Sequence, residues 1–474
     1  MKSTYDDLLR STRRHFLGRA GLGLGAMAMA KLHGAATPGV LGSPHAAPKA
    51  KRVIYLFQAG GPSHLETFDY KPVLREGHGK ALPKEVIGNQ RLSTMSGNQS
   101  LLPMAGSFAN FSKHGRCGME ICDTLPYTQK IADDLCLIRT MHTEAINHDP
   151  AITFFCSGNQ VPGRPSMGAW TSYGLGSLND NLPSFIVLVS KNASRDQPLY
   201  SRLWGAGFLP SEYQGVQFRP GKEPVLYLTN PEGVSPHVRR DMLDALGKLN
   251  GYQAEQQMDP EIEARVAQAE MAFRMQTSVP EATDFSGESE ETFKLYGPDS
   301  KTPGTYAANC LLARRLIERD VRFIQLFHQG WDQHGDVVGG ITRQCQQTDH
   351  ASAALVMDLK RRGLLDDTLV VWGGEFGRTA YCQGKMSGNN YGRDHHPRCF
   401  SIWLAGGGVK PGTIHGTTDD YGYNILDGAV HVHDLHATML HLLGVNHEKL
   451  IYKFQGRYFR LTDVHGQVVK PILA

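Results

Sequence analysis

The chain lacks most of the features that would assign it at a glance. Its eight cysteines include no Cys-x-x-Cys pair and no zinc-ribbon spacing, which excludes a zinc module built on cysteines. Only 20% of its residues are charged, 49 basic against 46 acidic, and the net charge of +3 comes with no block of lysine and arginine. Nothing here attracts a polyanion, so nucleic acid is excluded as a partner. There is no Gly-x-Ser-x-Gly elbow and no phosphate-binding loop, and Gly406-Gly407-Gly408 lacks the spacing of a dinucleotide turn. No repeat of solenoid period is visible.

What is present suits a large globular protein. With 474 residues and 41% hydrophobic content the chain can fill one elaborate domain or two, and its 52 glycines and 25 prolines are scattered, as in a fold with long, shaped loops. Near the start, Thr12-Arg13-Arg14-His15-Phe16-Leu17 is a twin-arginine pattern, followed by an apolar stretch to Ala30. That stretch is shorter than the roughly 20 residues needed to span a bilayer, so the pattern predicts a cleaved export signal and no permanent membrane span. Residues 1–50 are thus expected to hold the signal and its processing region, with the twin-arginine translocase as a partner during export. The destination is periplasmic or extracellular. An oxidising destination permits disulfides, with Cys117 and Cys122 the nearest pair in sequence.

The runs Arg52–Phe57, Phe185–Leu188, Val321–Phe327, Thr368–Trp372 and Phe400–Leu404 read as buried strands. Helical patterns at 307–319, 351–362 and 433–443 alternate with them, which predicts an α/β fold with a mostly parallel sheet covered on both faces. Residues 51–474 read as a single domain, with the polar, Pro/Gly-punctuated stretch 190–300 as an insertion or cap carrying one charged helix near 260–275.

Three polar clusters adjoin predicted strands: His328 to Asp336, Gly373 to Thr379, and Arg393 to His396. Ligands gather at the carboxyl ends of strands in such sheets, and carboxylates with imidazoles are the usual donors for zinc, or for iron and manganese when oxygen dominates. A solvated loop with capping Asp and His is the alternative for each cluster alone. His431, His433, His436 and His441, near an apolar C-terminal helix, read as packing or surface residues.

The motifs together resemble a known family. "TLVVWGGEFGRT" is similar to the strand that ends in a metal-binding turn in sulfatases, and "HVHDLHATMLHLLGV" (431–445) to the helix that closes them. More closely, "NHDPA", "GRPSMGAWTSYGLGS", "GWDQHGD", "GEFGRT", "GRDHHPR" and "LAGGGVKPG" resemble the domain-of-unknown-function 1501 family, sulfatase-like proteins of the alkaline phosphatase superfamily. The resemblance implies an alkaline phosphatase-like three-layer sandwich with an inserted cap. It implies a divalent metal ion held by Asp332, His334 and His395 with help from Glu375, zinc first, with calcium, manganese or iron as alternatives.

The departures from that pattern are as informative. Gln58 stands where the superfamily has a metal-binding Asp, Phe376 where it has His or Asn, and His148 where sulfatases carry their catalytic Cys. The expectation is a metal-dependent hydrolase of sulfate or phosphate esters, on a small molecule or polysaccharide, that works without a Cys or Ser nucleophile. His148 or His64 would accept the proton and Arg378 would stabilise anionic oxygens, although a structural ion pair is an equal reading of Arg378. A phosphotransferase, with His148 as the phosphorylated group, ranks below the hydrolase. The alternative from another class is a non-catalytic metal- or glycan-binding protein that retains the fold.

Overall fold

The computed structural model describes residues 37–191, 197–221, 223–226, 228–257, 260–387 and 390–474. The twin-arginine pattern lies outside the described residues. The elements that place the site are, in chain order, β1 (Arg52–Gln58), β2 (Leu135–His142), α1 (His148–Ser157), α2 (Met167–Leu175), β3 (Phe185–Val189) and β4 (Val216–Phe218). Then come α3 (Pro236–Gln257), α4 (Pro260–Thr283), α5 (Tyr306–Ile317), β5 (Phe323–His328), α6 (Val337–Arg361) and β6 (Thr368–Gly373). The chain continues with β7 (Gly377–Ser387), β8 (Asn390–His396), β9 (Phe400–Ala405), β10 (Thr413–His415), β11 (Val430–His431) and α7 (Val432–Leu442).

Among the described residues nine strands form the central sheet, in the order β10-β2-β9-β6-β1-β5-β3-β4 with β11 also paired to β2. β6, β1, β5, β3 and β4 pair in parallel, as do β10 and β11 with β2, and β9 alone runs against its two neighbours. The sheet is mostly parallel, as expected. β1 shows why both faces must be covered: Val53, Tyr55 and Phe57 enter one core and Ile54 and Leu56 the other, the two-residue period of a strand buried on both sides. The first core takes its helical side chains from α1, α2 and α7, among them Phe155, Trp170 and Leu435. The second takes them from α5 and α6, among them Leu311, Leu316 and Leu355. The result is a three-layer α/β sandwich.

Several boundaries differ from the sequence reading. β2 was not foreseen, because Arg139 and Thr140 interrupt its apolar run, although Thr140 is buried. α6 starts at Val337 instead of 351, since Asp336, in a left-handed conformation at φ 48°, caps it by accepting a hydrogen bond from the Gly339 amide. The stretch 190–300 contains two long helices, α3 and α4, that pack on each other, where one was expected. All eight cysteines are free. Cys117 lies in the turn between strands Phe111–His114 and Met119–Cys122, whereas the Cys122 thiol is turned to the Thr124 hydroxyl, 3.0 Å away. No helix among the described residues is long and apolar enough to cross a membrane.

Candidate metal centre

The carboxyl ends of β1, β2, β5 and β6 lie along one edge of the sheet, so the segments that follow them converge. After β5 comes Asp332 with His334, after β6 Glu375, and after β2 the loop that delivers His148 to the start of α1. His395 arrives from outside the sheet, on the β7/β8 hairpin, paired in register with Arg378. One ligand-competent atom from each of His148, Asp332, His334 and His395 lies within 4.8 Å of the others. The sheet brings His148 to Asp332, 184 residues away in sequence, and the hairpin adds His395.

Asp332 is the hub. Its Oδ2 is 3.0 Å from His148 Nε2, and its Oδ1 is 2.9 Å from His334 Nε2, 3.4 Å from His395 Nε2 and 2.6 Å from Arg378 Nη2. Burial would raise the Asp332 carboxyl, but His148, His334, His395 and Arg378 together hold it well below the usual carboxylate range. Burial would also lower His148, yet Asp332 and Glu375 beside it raise its imidazole to about 9. His395 goes the other way: burial takes it to about 4, against the pull of Asp332 and with Arg378 and His148 adding to the fall. In the metal-free chain His148 is thus a cation between two carboxylates, and His395 is neutral.

Each imidazole is oriented by a second partner. His395 Nδ1–H donates to the Ile146 carbonyl at 2.7 Å, which leaves its Nε2 lone pair turned towards Asp332. His148 Nδ1 is 2.6 Å from Glu375 Oε1, and His334 Nδ1 is 2.5 Å from the side-chain Oε1 of Gln383. Glu375 is itself fixed by the Gly60 amide, 2.9 Å from its Oε1. Gly60, at φ 118°, is required there, because a Cβ would come within 2.6 Å of the Asp332 nitrogen. The Nε2 atoms of His148 and His395 are buried with no aligned hydrogen-bond partner. Three imidazoles and a carboxylate, two of the rings with such nitrogens and all three with an orienting partner, fit a tetrahedral divalent ion such as zinc.

The structure reassigns several expected roles. Glu375 is fully buried, and its carboxylate is committed to His148 and the Gly60 amide, so it orients His148 instead of joining the four. Arg378 is 1% exposed and donates to the carbonyls of Gly60, Gly61, Trp331 and Arg393 as well as to Asp332, so its guanidinium is turned to backbone and hub and not to an open substrate surface. His64 does not reach the group; it is buried beside Asp69 and Cys399, with Nε2 2.8 Å from the Gly422 carbonyl. His148 keeps a proton at neutral pH when metal-free and has both ring nitrogens facing carboxylates, a poor arrangement for a base or a nucleophile. Glu144, in the loop before His148, pairs with His431, 2.9 Å distant.

Gln58 and Phe376 add no free donor beside these four residues. Gln58 accepts from Trp331 Nε1 and donates to the Leu56 carbonyl and the Tyr306 hydroxyl, a satisfied core amide. Phe376 places its ring 4.5 Å from that of His395 and 5.0 Å from that of His148, forming an apolar wall. Ile146 and Gln383, the partners of two ligand rings, were not anticipated, since nothing in their local sequence marks them.

A family model described as a protein of unknown function, DUF1501, matches residues 50–473. The chain belongs to this family. No curated protein matches this DUF1501 chain. Among solved structures its fold is similar to a sulfatase from Pseudoalteromonas sp., at 11% identity and a TM-score of 0.37, over 91% of this chain and 72% of that one. It is also similar to an alkaline phosphatase from the Antarctic bacterium TAB5, at 12% identity and a TM-score of 0.34, over 84% and 99%. A third is a protein in the alkaline phosphatase superfamily from Vibrio parahaemolyticus, at 12% identity and a TM-score of 0.34, over 90% and 79%.

Proposed function

We propose that this DUF1501 protein is an exported hydrolase of sulfate or phosphate esters that works with one divalent ion, zinc first among the alternatives. The observation that carries the reading is the meeting of His148, Asp332, His334 and His395 at one point, with Glu375, Ile146 and Gln383 behind them. An ion held there supplies polarisation of an ester oxygen and activation of water at neutral pH. The protein's own part is to hold the four donors rigid. Glu375 and the Gly60 amide fix His148, Arg378 fixes Asp332, and the Phe376 ring keeps the side facing His148 and His395 apolar.

No Cys, Ser or Thr is among the four converging residues or their orienting partners, which supports direct attack by water over a covalent intermediate. Such an enzyme releases product without transferring the sulfuryl or phosphoryl group to an added alcohol. Export rests on the twin-arginine pattern at 12–17 and a polysaccharide substrate on the family resemblance.

The test is metal analysis and assay together. The purified protein, loaded with Zn2+, is assayed on aryl sulfates and on phosphate mono- and diesters, beside His395→Ala. Hydrolysis by the wild type, lost together with the site's ion in the variant, supports the reading; full metal occupancy in His395→Ala overturns the ligand assignment. Arg378, buried and turned to backbone carbonyls and Asp332 instead of an open substrate surface, favours a second reading, a binding protein that retains the ion. Metal binding without hydrolysis of any ester class decides for it.

A further inference from the structure

We propose that His64, Asp69 and Cys399 form a second metal site, which holds one soft cation such as Zn2+ behind the segment that carries His395. His64 opens the short helical turn His64–Thr67 after the β1 loop, Asp69 follows that turn, and Cys399 immediately precedes β9. All three are buried, at 1%, 1% and 0% exposure. One ligand-competent atom of each lies within 4.8 Å of the other two. This group is separate from the four residues described above.

The local hydrogen bonds leave the right atoms unused. His64 Nε2 lies 2.8 Å from the Gly422 carbonyl, so it carries the ring proton, and Nδ1 presents a lone pair with no partner. A Cβ on Gly377 would come within 2.9 Å of that Nδ1 and 2.5 Å of the Cys399 carbonyl oxygen, so the glycine keeps open the space where the two residues meet. The Cys399 thiol reaches only the Arg139 carbonyl, at 3.9 Å. Asp69 is held in place by the Thr418 hydroxyl at 2.7 Å on Oδ2, with the Lys71 ammonium 3.1 Å from Oδ1.

An unpartnered imidazole nitrogen is not enough to make a ligand, and the protein contains its own control. His433 and His436 also have a buried Nδ1 without a partner, but neither belongs to a group of converging carboxylate and thiol donors. At His64 those donors are present and no hydrogen bond joins the three side chains, a spacing that suits separate bonds to one ion between them. A thiolate and a carboxylate offset the charge of a divalent cation, leaving the Lys71 ammonium beside Asp69 as the part-exposed positive charge of the site, and the sulfur with imidazole selects zinc among common metals. Burial and the Asp69 carboxylate push the Cys399 thiol well above its usual value, with Lys71 partly opposing them, so it is the ion itself that displaces the thiol proton. The same residue types would serve a nucleophilic triad, but Cys399 is fully buried and no substrate reaches it. The role is structural: an ion here ties the β1 loop to the segment between β8 and β9, and β8 carries His395.

The experiment uses the full-length protein loaded with Zn2+ and, separately, with Co2+. Elemental analysis is expected to give two equivalents of zinc in the wild type, and one each in His395→Ala and Cys399→Ser. Cobalt bound to a thiolate absorbs in the near ultraviolet by charge transfer. That band is expected in the wild type and in His395→Ala, and to vanish in Cys399→Ser. A cobalt-loaded wild type without the band overturns the proposal, as do two equivalents of zinc in Cys399→Ser. Should Cys399→Ser fail to fold, the wild-type spectrum decides alone. Because the band and the His395 equivalent are read separately, failure here is distinct from failure of the hydrolase reading.

Discussion

Two groups of histidines sit at opposite ends of α1, and they do opposite things. At its start, His148 joins His334 and His395 around a carboxylate. At its end, His433 and His436 of α7 direct Nε2 to the carbonyls of Gly158 and Phe155, while His431, the capping residue of α7, pairs with Glu144. The first group faces acids and is oriented by second partners. The second fastens one helix to the next by spending its protons on backbone oxygens. Histidine count therefore says little; what faces the ring nitrogen decides whether an imidazole is a donor to a metal or a peg between helices.

The largest effect expected from breaking this contrast is at the first group. Asp332→Asn removes the hub charge and is expected to abolish both bound metal at that site and hydrolysis, measured by elemental analysis and ester assay; His436→Leu is expected to spare both. His148 of the first group and His436 of the second respond to pH with opposite sign. His436 is taken down by burial to about 3, below its unfolded value of 6.5, so its contribution is present above pH 6.5 and is lost as pH falls towards 3. Across that whole window the loss amounts to about 5 kcal/mol, seen as a fall in denaturant midpoint that His436→Leu flattens.

His148 behaves in the reverse sense in metal-free protein. Its folded value of about 9 lies above 6.5, so its contribution is complete below pH 6.5 and disappears as pH rises through 9, about 3 kcal/mol in all. Unfolding of the metal-free protein at pH 6 and pH 9.5, with His148→Gln as the flat control, measures it; a slope of the other sign would falsify the carboxylate-sandwich account. Gln383→Ala frees His334 Nδ1 and is expected to weaken metal affinity by roughly ten- to a hundredfold, read by chelator competition. Least of all, His431→Ala breaks a pair whose carboxylate is 60% exposed and removes the cap of α7, and is expected to lower stability by about 1 kcal/mol, read in a melting-temperature comparison.

Much of the architecture was legible because strands buried on both faces leave continuous apolar runs. All five runs read as strands lie in the sheet, and Asp332-x-His334 was visible as a donor pair just beyond one of them. β2 escaped because its buried Thr140 looks polar in sequence, and β8 escaped because "YGRDHHPR" has no strand pattern; its extended form depends on pairing with β7. His64 misled for a related reason. It follows the first strand closely, but its ring is turned to Gly422, far along the chain.

The sequence by itself determined which donor types stand at the strand ends, and parallel strands carried those ends to one edge. Their division of labour was decided only in three dimensions. Whether Glu375 binds an ion or steadies His148, whether Arg378 meets an anion or is turned to backbone carbonyls, and whether His64 lies beside Asp332 or Asp69 depend on side-chain directions. Those directions are set by hydrogen bonds to Gly60, Ile146, Gln383 and Gly422, groups distant in sequence whose positions exist only once the sheet has formed.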